Sequence, residues 1–286
     1  MINMTDDALL LRTSRREIAI GGHTVVMGVI NTTPDSFSDG GQYASPQKAI
    51  EAGIRMAGEG AEILDIGGES TRPGSDPVSV EEELKRVIPV IRGLAAKISI
   101  PLSVDTMKAE VAGEALRAGA EIVNDVSSLS YDSAMAKTIS ALGAGIVLMH
   151  MRGMPKVMQQ GDLAYPSLTD DIMGFLKERI EKARSEGIDL TQIVVDPGIG
   201  FGKTANDSMR LIRRLGEFKK LGRPILVGVS RKSFIGQVTG GTPAERIEGT
   251  AAAITASILN GAHIVRVHDV SVMKKVVLMA DAISRA

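Results

Sequence analysis

From residue 21 onward, a short apolar and β-branched run, a polar or glycine-rich patch and a longer stretch of helical periodicity recur in that order. The apolar runs predict eight strands, at residues 24–30, 61–66, 100–104, 121–123, 145–149, 192–195, 224–229 and 262–267. Helical stretches follow them, for example at residues 81–97, 109–118, 172–186 and 244–259. Eight such units favour an α/β fold with a single (β/α)8 TIM barrel, and a doubly wound open sheet is the alternative.

Local signals agree with this alternation. Ser79 and Glu82 have capping-box spacing before the second helix, and Thr242 and Glu245 have it before a later one. No linker-like or low-complexity segment divides the chain. We therefore expect one barrel domain over residues 21–286, preceded by a short N-terminal extension, an arm over residues 1–20.

Composition removes several classes of function. Of the 286 residues 33 are Lys or Arg and 34 are Asp or Glu, and this net charge of −1 lacks the basic excess that nucleic acids and anionic membranes require. With no cysteine, the chain has no disulfide, thiolate nucleophile or cysteine-bound metal. It contains no apolar run near the ~20 residues that span a bilayer and no targeting signal, so we expect a soluble, cytoplasmic protein.

Polar residues stand at nearly every predicted strand end. They are Asn31, Asp65, Asp105, Asn124, Asp125, His150, Asp196, Ser230, Arg231, Lys232, Arg266 and His268. One such residue is often only a turn former or a helix cap, and we interpret Asp125, His150 and Asp269 as structural. In a barrel, however, these ends meet at the mouth where active sites are built, so charges of both signs there indicate a site.

Familiar catalytic motifs do not fit. Residues 198–204 (GIGFGKT) look like a phosphate-binding P-loop, but Pro197 stands where its first glycine belongs. The four histidines do not form the H-E-x-x-H motif of a zinc hydrolase. Two loops after the first and second strands are instead longer than usual, and each carries one conspicuous side chain, Phe37 or Arg72. Long loops in compact domains are often lids or binding loops.

Residues 27–41 (MGVINTTPDSFSDGG) and 65–74 (DIGGESTRPG) resemble the two signature segments of the dihydropteroate synthase family. Further matches follow in the family's order, at residues 104–106, 124–125, 148–151, 196–203, 230–233 and 266–269. Met107 departs from the family, which often has Ser there. The resemblance implies a transferase that joins 6-hydroxymethyl-7,8-dihydropterin pyrophosphate to p-aminobenzoate, giving 7,8-dihydropteroate and pyrophosphate by an SN1-like displacement.

The same resemblance assigns roles to residues. Asp196, Asn124, Asp105, Lys232 and Arg266 would hold the pterin. Asn31 with Mg²⁺, together with Arg72, Arg266 and His268, would stabilise the departing pyrophosphate. The arylamine would rest among Phe37, Thr71, Pro73, Phe201 and Ser233, where sulfonamides would compete with it. Of these we expect Asn31, Arg72, Asp105, Lys232, Arg266 and His268 to be catalytic.

Two other functions remain open at this point. A pterin-binding methyltransferase domain would share the barrel but would not need the Arg72 loop or the Arg266 and His268 pair. A non-catalytic relative that only binds pterin-like ligands should have lost residues on the phosphate side. The family resemblance further implies a homodimer built from the later helices. The small residues at 251–257 permit close helix packing, within one barrel or between two.

Overall fold

The computed structural model describes residues 9–33, 45–71, 74–154, 156–161 and 163–286. A two-stranded hairpin comes first, formed by β1 (Leu9–Arg12) and β2 (Glu17–Ile20). Within the described residues, one eight-stranded sheet contains β3 (Val25–Asn31), β4 (Ile63–Gly67), β5 (Leu102–Asp105), β6 (Ile122–Asp125), β7 (Gly145–Met149), β8 (Ile193–Asp196), β9 (Leu226–Val227) and β10 (Ile264–Val267).

Helices alternate with these strands. They are α1 (Pro46–Gly58), α2 (Val80–Ala95), α3 (Ala109–Ala118), α4 (Met135–Leu142), α5 (Leu168–Ser185), α6 (Ala205–Arg213), α7 (Ser233–Thr239), α8 (Ile247–Leu259) and α9 (Val270–Arg285). In the part of the chain that the structure describes, three 3₁₀ helices add Leu190–Gln192, Leu215–Leu221 and Pro243–Glu245. Among the described residues, no helix is both long enough and apolar enough to cross a bilayer.

The sheet closes on itself. Its strands lie in the order β8-β7-β6-β5-β4-β3-β10-β9, and all neighbours are parallel. At the remaining gap Val195 pairs with Ile225, and the Val195 N–H donates to the carbonyl of Pro224 over 2.9 Å. The predicted (β/α)8 barrel is therefore confirmed, and the open doubly wound sheet is excluded.

The strands of the barrel are largely buried on both sides, which explains the nearly continuous apolar runs in the sequence. Outward residues such as Val26 and Leu64 pack against the helices. Inward residues such as Met27, Ile63 and Val147 fill the barrel. Alternate positions on each strand thus serve two separate cores.

The N-terminal hairpin covers the end of the barrel where the strands begin. Leu11 and Ile20, each 1% exposed, pack in one cluster with the inward side chains of the strands. The hydroxyl of Thr13 and the guanidinium of Arg16 both donate to Glu121, directly before β6. Residues 9–20 are therefore a hairpin tied to the barrel, while the division into an arm over 1–20 and a barrel over 21–286 stays a prediction.

Two predicted helices differ in detail. The stretch 244–259 is not one helix, because a 3₁₀ turn at Pro243–Glu245 precedes α8 and Arg246 lies between them. The Arg246 guanidinium donates to the carbonyls of Gly241 and Arg231, which fixes this break. Helix α5 begins at Leu168, earlier than residue 172. The cap at Ser79 is present, and the reciprocal Thr242–Glu245 box closes the 3₁₀ turn.

Candidate active site

The carboxyl ends of the barrel strands bring polar side chains together in one layer. The inward position two residues after an apolar core residue is polar on four strands: Asp65 after Ile63, Asn124 after Ile122, Asp196 after Val194 and Arg266 after Ile264. Because side chains in a strand alternate between its faces, each pair points into the barrel. A polar layer therefore lies directly on the apolar one, as the sequence predicts.

Arg266 is the centre of this layer. Its Nε donates to Asp65 Oδ2 over 2.6 Å, and its Nη2 donates to Asp105 Oδ2 over 2.8 Å. Asp65 Oδ2 also accepts from the Asn124 amide over 2.9 Å. Burial alone would lower the pKa of Arg266, but the Asp65 and Asp105 carboxylates outweigh it and raise that pKa.

Asp105 is the group whose charge is most open to change. Burial is the main cause that raises its pKa from 3.8 to about 7. The Arg266 guanidinium opposes this shift, while the carboxylates of Asp65 and Glu83 add to it. The site therefore contains a carboxyl group that changes protonation near neutral pH.

Asp196 and Lys232 form the other side of the layer. One oxygen of Asp196 accepts from the Gly198 N–H over 2.7 Å, and burial raises the pKa of this carboxyl group. The Lys232 amine donates to the Ile199 carbonyl and lies 4.2 Å from the centre of the Phe201 ring, a cation–π contact. Burial lowers the pKa of Lys232 to about 8, against the opposing charge of Asp196.

The loop after β8 holds Phe201 by close backbone contacts. Gly198 has φ +68°, and a Cβ there would lie 1.9 Å from the carbonyl oxygen of His150, so only glycine fits. The buried Lys203 amine lies 2.9 Å from His150 Nδ1 and donates to the Phe201 carbonyl over 2.9 Å. Burial, with the charge of Lys203, lowers the pKa of His150 to about 2. His150 thus lies against Lys203 in this loop, and its structural role stays a prediction.

The loops after β9 and β10 are joined by two contacts. Ser230 Oγ accepts from the His268 N–H over 3.3 Å and lies 3.0 Å from His268 Nδ1. Arg231 donates to both oxygens of Asp269 over 3.0 and 2.6 Å. His268 is half-buried and follows Arg266 by two residues. Its ring contacts Ser230. The pairing of Asp269 with Arg231 is in keeping with a structural role, which stays a prediction.

The remaining predicted residues lie around the mouth. Asn31 is the last residue of β3 and is half-buried. The side chains of Asn31 and Asp105 flank Gly67: a Cβ on Gly67 would lie 3.8 Å from Asn31 Oδ1 and 3.5 Å from Asp105 Cβ. Half-buried Thr71 lines a small cavity with Asp105. Ser233 is exposed at the first position of α7. Phe37, Arg72 and Pro73 lie outside the described residues.

Sequence reasoning named Asp65 only as a strand-end residue and did not place it in the binding set. Its position two residues after Ile63, in the same inward register as Asn124 after Ile122, was the available signal. A larger groove of about 670 Å³ lies at the opposite end of the barrel, lined by Thr24, Arg213 and Asn260 among others. None of the predicted site residues lines it.

The fold and this layer define the class of protein. A sequence model of the family described as "Pterin binding enzyme" matches residues 27–268, so the chain belongs to the pterin-binding enzymes. A dihydropteroate synthase from Synechocystis sp. is 47% identical over 266 residues, which span 93% of this chain and 92% of the relative. Within the pterin-binding enzymes, the chain therefore belongs to the dihydropteroate synthase family, and it is a transferase.

Solved structures agree. The Yersinia pestis dihydropteroate synthase with a sulfonamide drug complex superposes with a TM-score of 0.92 at 39% identity, over 97% of this chain and 100% of that one. The Xanthomonas albilineans dihydropteroate synthase with 4-aminobenzoic acid superposes with a TM-score of 0.90 at 41% identity, over 98% and 99% of the two chains. The barrel and its connections are thus those of the family.

We predict that Asp105 titrates with a midpoint near pH 7 in the ligand-free protein, because burial raises its pKa. The measurement is a ¹³C NMR titration of labelled aspartate side chains, with the Asp105→Asn variant to assign the signal. Asp189 is the internal control, because its hydrogen bonds to Thr191 lower its pKa below 3.8. An Asp105 midpoint near 4 would contradict the prediction.

Proposed function

We propose that the mouth of the barrel binds 6-hydroxymethyl-7,8-dihydropterin pyrophosphate and p-aminobenzoate and joins them to 7,8-dihydropteroate. The observation that carries this proposal is the buried polar layer in which Asp65 and Asp105 share Arg266. Fixed donors and acceptors at the barrel mouth suit a flat heterocycle with a polar edge. The solved relative with 4-aminobenzoic acid supports the second substrate.

The pterin would lie across this layer. Its aminopyrimidinone edge offers adjacent N–H donors, and the Asp196 carboxylate could accept two of them in a charge-assisted pair. Those donors would favour the charged carboxylate that burial disfavours. Asn124 could both donate and accept, Asp105 could accept from another ring N–H, and Lys232 could donate to a ring acceptor. The planar guanidinium of Arg266 could stack on the ring, which an ammonium cannot do equally well.

Departure of pyrophosphate is the difficult step. Electron donation from the dihydropterin ring stabilises positive charge on the methylene carbon, so the carbon–oxygen bond breaks first in an SN1-like displacement. Arg266 uses Nε and Nη2 for its two carboxylates, and among the described residues Nη1 has no hydrogen-bond partner. Nη1, half-buried His268 and Arg72 would stabilise the developing charge of the leaving group.

Magnesium would bind at Asn31. Among the described residues, no three acidic or histidine side chains converge as a metal cage. Mg²⁺ is instead often held by one or two protein oxygens together with substrate phosphates and water. Asn31 fits this pattern, since it offers one amide oxygen next to Gly67 at the mouth. When bound, Mg²⁺ would neutralise charge on the pyrophosphate.

The arylamine would attack from the side formed by Thr71, Phe201 and Ser233, with Phe37 and Pro73 completing the pocket. Phe201 is already fixed by Lys203 and by the cation–π contact with Lys232. An arylamine is neutral at pH 7, so its nitrogen can form the new carbon–nitrogen bond without a strong general base. The nitrogen then loses a proton to solvent. The site therefore needs neither a side-chain nucleophile nor a general base to activate one.

We infer that two copies pair through α9. Val272, Met279 and Ile283 are 41%, 62% and 50% exposed and recur on one face of that helix. An apolar stripe of this kind on a helix surface marks an interaction site. The homodimer expected from the family resemblance would cover it. A cytoplasmic location remains a prediction from the sequence.

The proposed reaction is tested by turnover. Purified protein with the pterin pyrophosphate, p-aminobenzoate and Mg²⁺ should form dihydropteroate, detected by mass spectrometry. Asp196→Asn should bind the pterin at least tenfold more weakly, about 1.4 kcal/mol, because a donor amide replaces one acceptor oxygen. It should still fold, since its carbonyl oxygen can accept from Gly198. No product from the wild type would refute the reaction, and unchanged calorimetric affinity would remove Asp196 from the site.

The dimer is tested by light scattering after size-exclusion chromatography. Met279→Glu places a charge in the apolar stripe and should give a monomer at micromolar concentration. Leu278→Glu is the matched control, because Leu278 is 59% exposed but lies on another face of α9. A wild-type monomer, or equal dissociation of both variants, would contradict pairing through this face.

A further inference from the structure

A buried cluster of three charged side chains lies beside the candidate site, and none of the three has been assigned a contact with substrate above. Lys108, at the N-terminal cap of α3, donates to carboxylate oxygens of Glu69 and Glu83. Glu83 is in α2, and Glu69 is in the loop between β4 and α2. The three side chains are 9%, 9% and 1% exposed, respectively.

Lys108 is charged in this cluster. Burial alone would lower its pKa, but the hydrogen bonds and charges of Glu69 and Glu83 raise it above the ordinary value of 10.5. A buried ion that loses its partners is strongly unfavourable, so ammonium and carboxylates hold one another in place. Glu83 is fixed by its helix, and therefore the movable member of the cluster is Glu69, on the loop.

The base of that loop is attached at further points. Glu69 Oε2 accepts from the Val78 N–H over 3.2 Å, which joins the outgoing and returning parts of the loop. Arg86 of α2 donates to the carbonyl of Gly68 over 2.8 Å. A Cβ on Gly68 would lie 2.8 Å from Val87 Cγ1, so the loop base packs directly on α2. Glu69 thus links the loop base both to Lys108 at the start of α3 and to the returning part of its own loop.

The cluster also borders the candidate site. Glu69 and Glu83 line the same small cavity as Thr71 and Asp105. Thr71 follows Glu69 by two residues, a span of at most ~7 Å along the chain. A shift of Glu69 can therefore displace Thr71.

We propose that Lys108 and Glu69 are positioning residues: Lys108 anchors Glu69 and so keeps Thr71 at the edge of the arylamine pocket. This inference rests on the proposed function, which assigns Thr71 to that pocket. Glu69 follows β4, whereas the proposed pterin-binding side chains lie at or after the ends of other strands. Loss of the anchor should therefore loosen the arylamine site and leave the pterin site intact.

Matched alanine substitutions of the two carboxylates test the anchor. Glu69→Ala and Glu83→Ala each leave Lys108 with one carboxylate, so in neither variant is the buried ammonium without a charged partner. Glu69→Ala should raise KM for p-aminobenzoate at least tenfold while the pterin Kd changes by less than twofold. Glu83→Ala should lower the melting temperature more, since Glu83 is the more buried, yet change that KM less than threefold. Glu69→Gln, whose amide oxygen can still accept from Lys108 and Val78, should recover most of the loss.

A purely structural role predicts the opposite order, with Glu83→Ala the worse variant in every measurement. That order, or an unchanged KM in a folded and active Glu69→Ala enzyme, would overturn the proposal. If Glu83→Ala does not fold, Glu83→Gln takes its place, because it retains the side-chain volume and one acceptor oxygen.

Hydrogen exchange of the ligand-free protein separates this proposal from the proposed function. Glu69→Ala should speed amide exchange at least tenfold at Val78 and its neighbours in residues 74–79, whereas the Glu83 variant should leave the loop near the wild-type rate. Failure of wild-type turnover would refute the proposed reaction, but the exchange rates would still show whether Glu69 anchors the loop. Unchanged exchange in Glu69→Ala would refute the anchor even in an active enzyme.

Discussion

The guanidinium of Arg266 is shared by two carboxylates that have almost no access to water. Asp65 and Asp105 lie on adjacent strands, and Arg266 reaches both from a strand on the other side of β3. Removing one partner from a buried ion pair typically costs ~3–5 kcal/mol, because the remaining charge is left uncompensated. Neither carboxylate can therefore move independently, and the donors and acceptors around them are fixed before a substrate arrives.

The barrel supplies the surroundings that make this interaction strong. An apolar layer that includes Ile63 and Ile122 lies beneath the polar one, and Leu11 and Ile20 of the N-terminal hairpin cover its far end. Water is thus excluded from below, and charges at the mouth act on one another through a medium of low polarizability. The same exclusion raises the pKa of Asp105 to about 7.

Much of this architecture is predictable from the sequence, because parallel strands and crossover helices leave distinct periodicities and strand ends share one mouth. The predicted helix 109–118 coincides with α3, whereas 244–259 is interrupted because Arg246 bonds to distant carbonyls. The pairing of Asp65 with Arg266 joins residues 201 positions apart and depends on strand register, which local pattern does not contain. The Lys108 cluster likewise joins residues that are far apart in sequence, so local pattern does not reveal it. Phe37, Arg72 and Pro73 rest on family resemblance alone.

Arg266 organises the site because its planar cation directs two hydrogen bonds to two different carboxylates. Calorimetric affinity for the pterin pyrophosphate in Arg266→Lys measures this directly, because the ammonium keeps the charge but cannot reproduce both directed hydrogen bonds and the flat stacking face. We expect at least a tenfold loss of affinity in the folded Arg266→Lys protein, with a lower kcat as well. Wild-type affinity and kcat in this variant would show that a point charge suffices and that the planar guanidinium is not required.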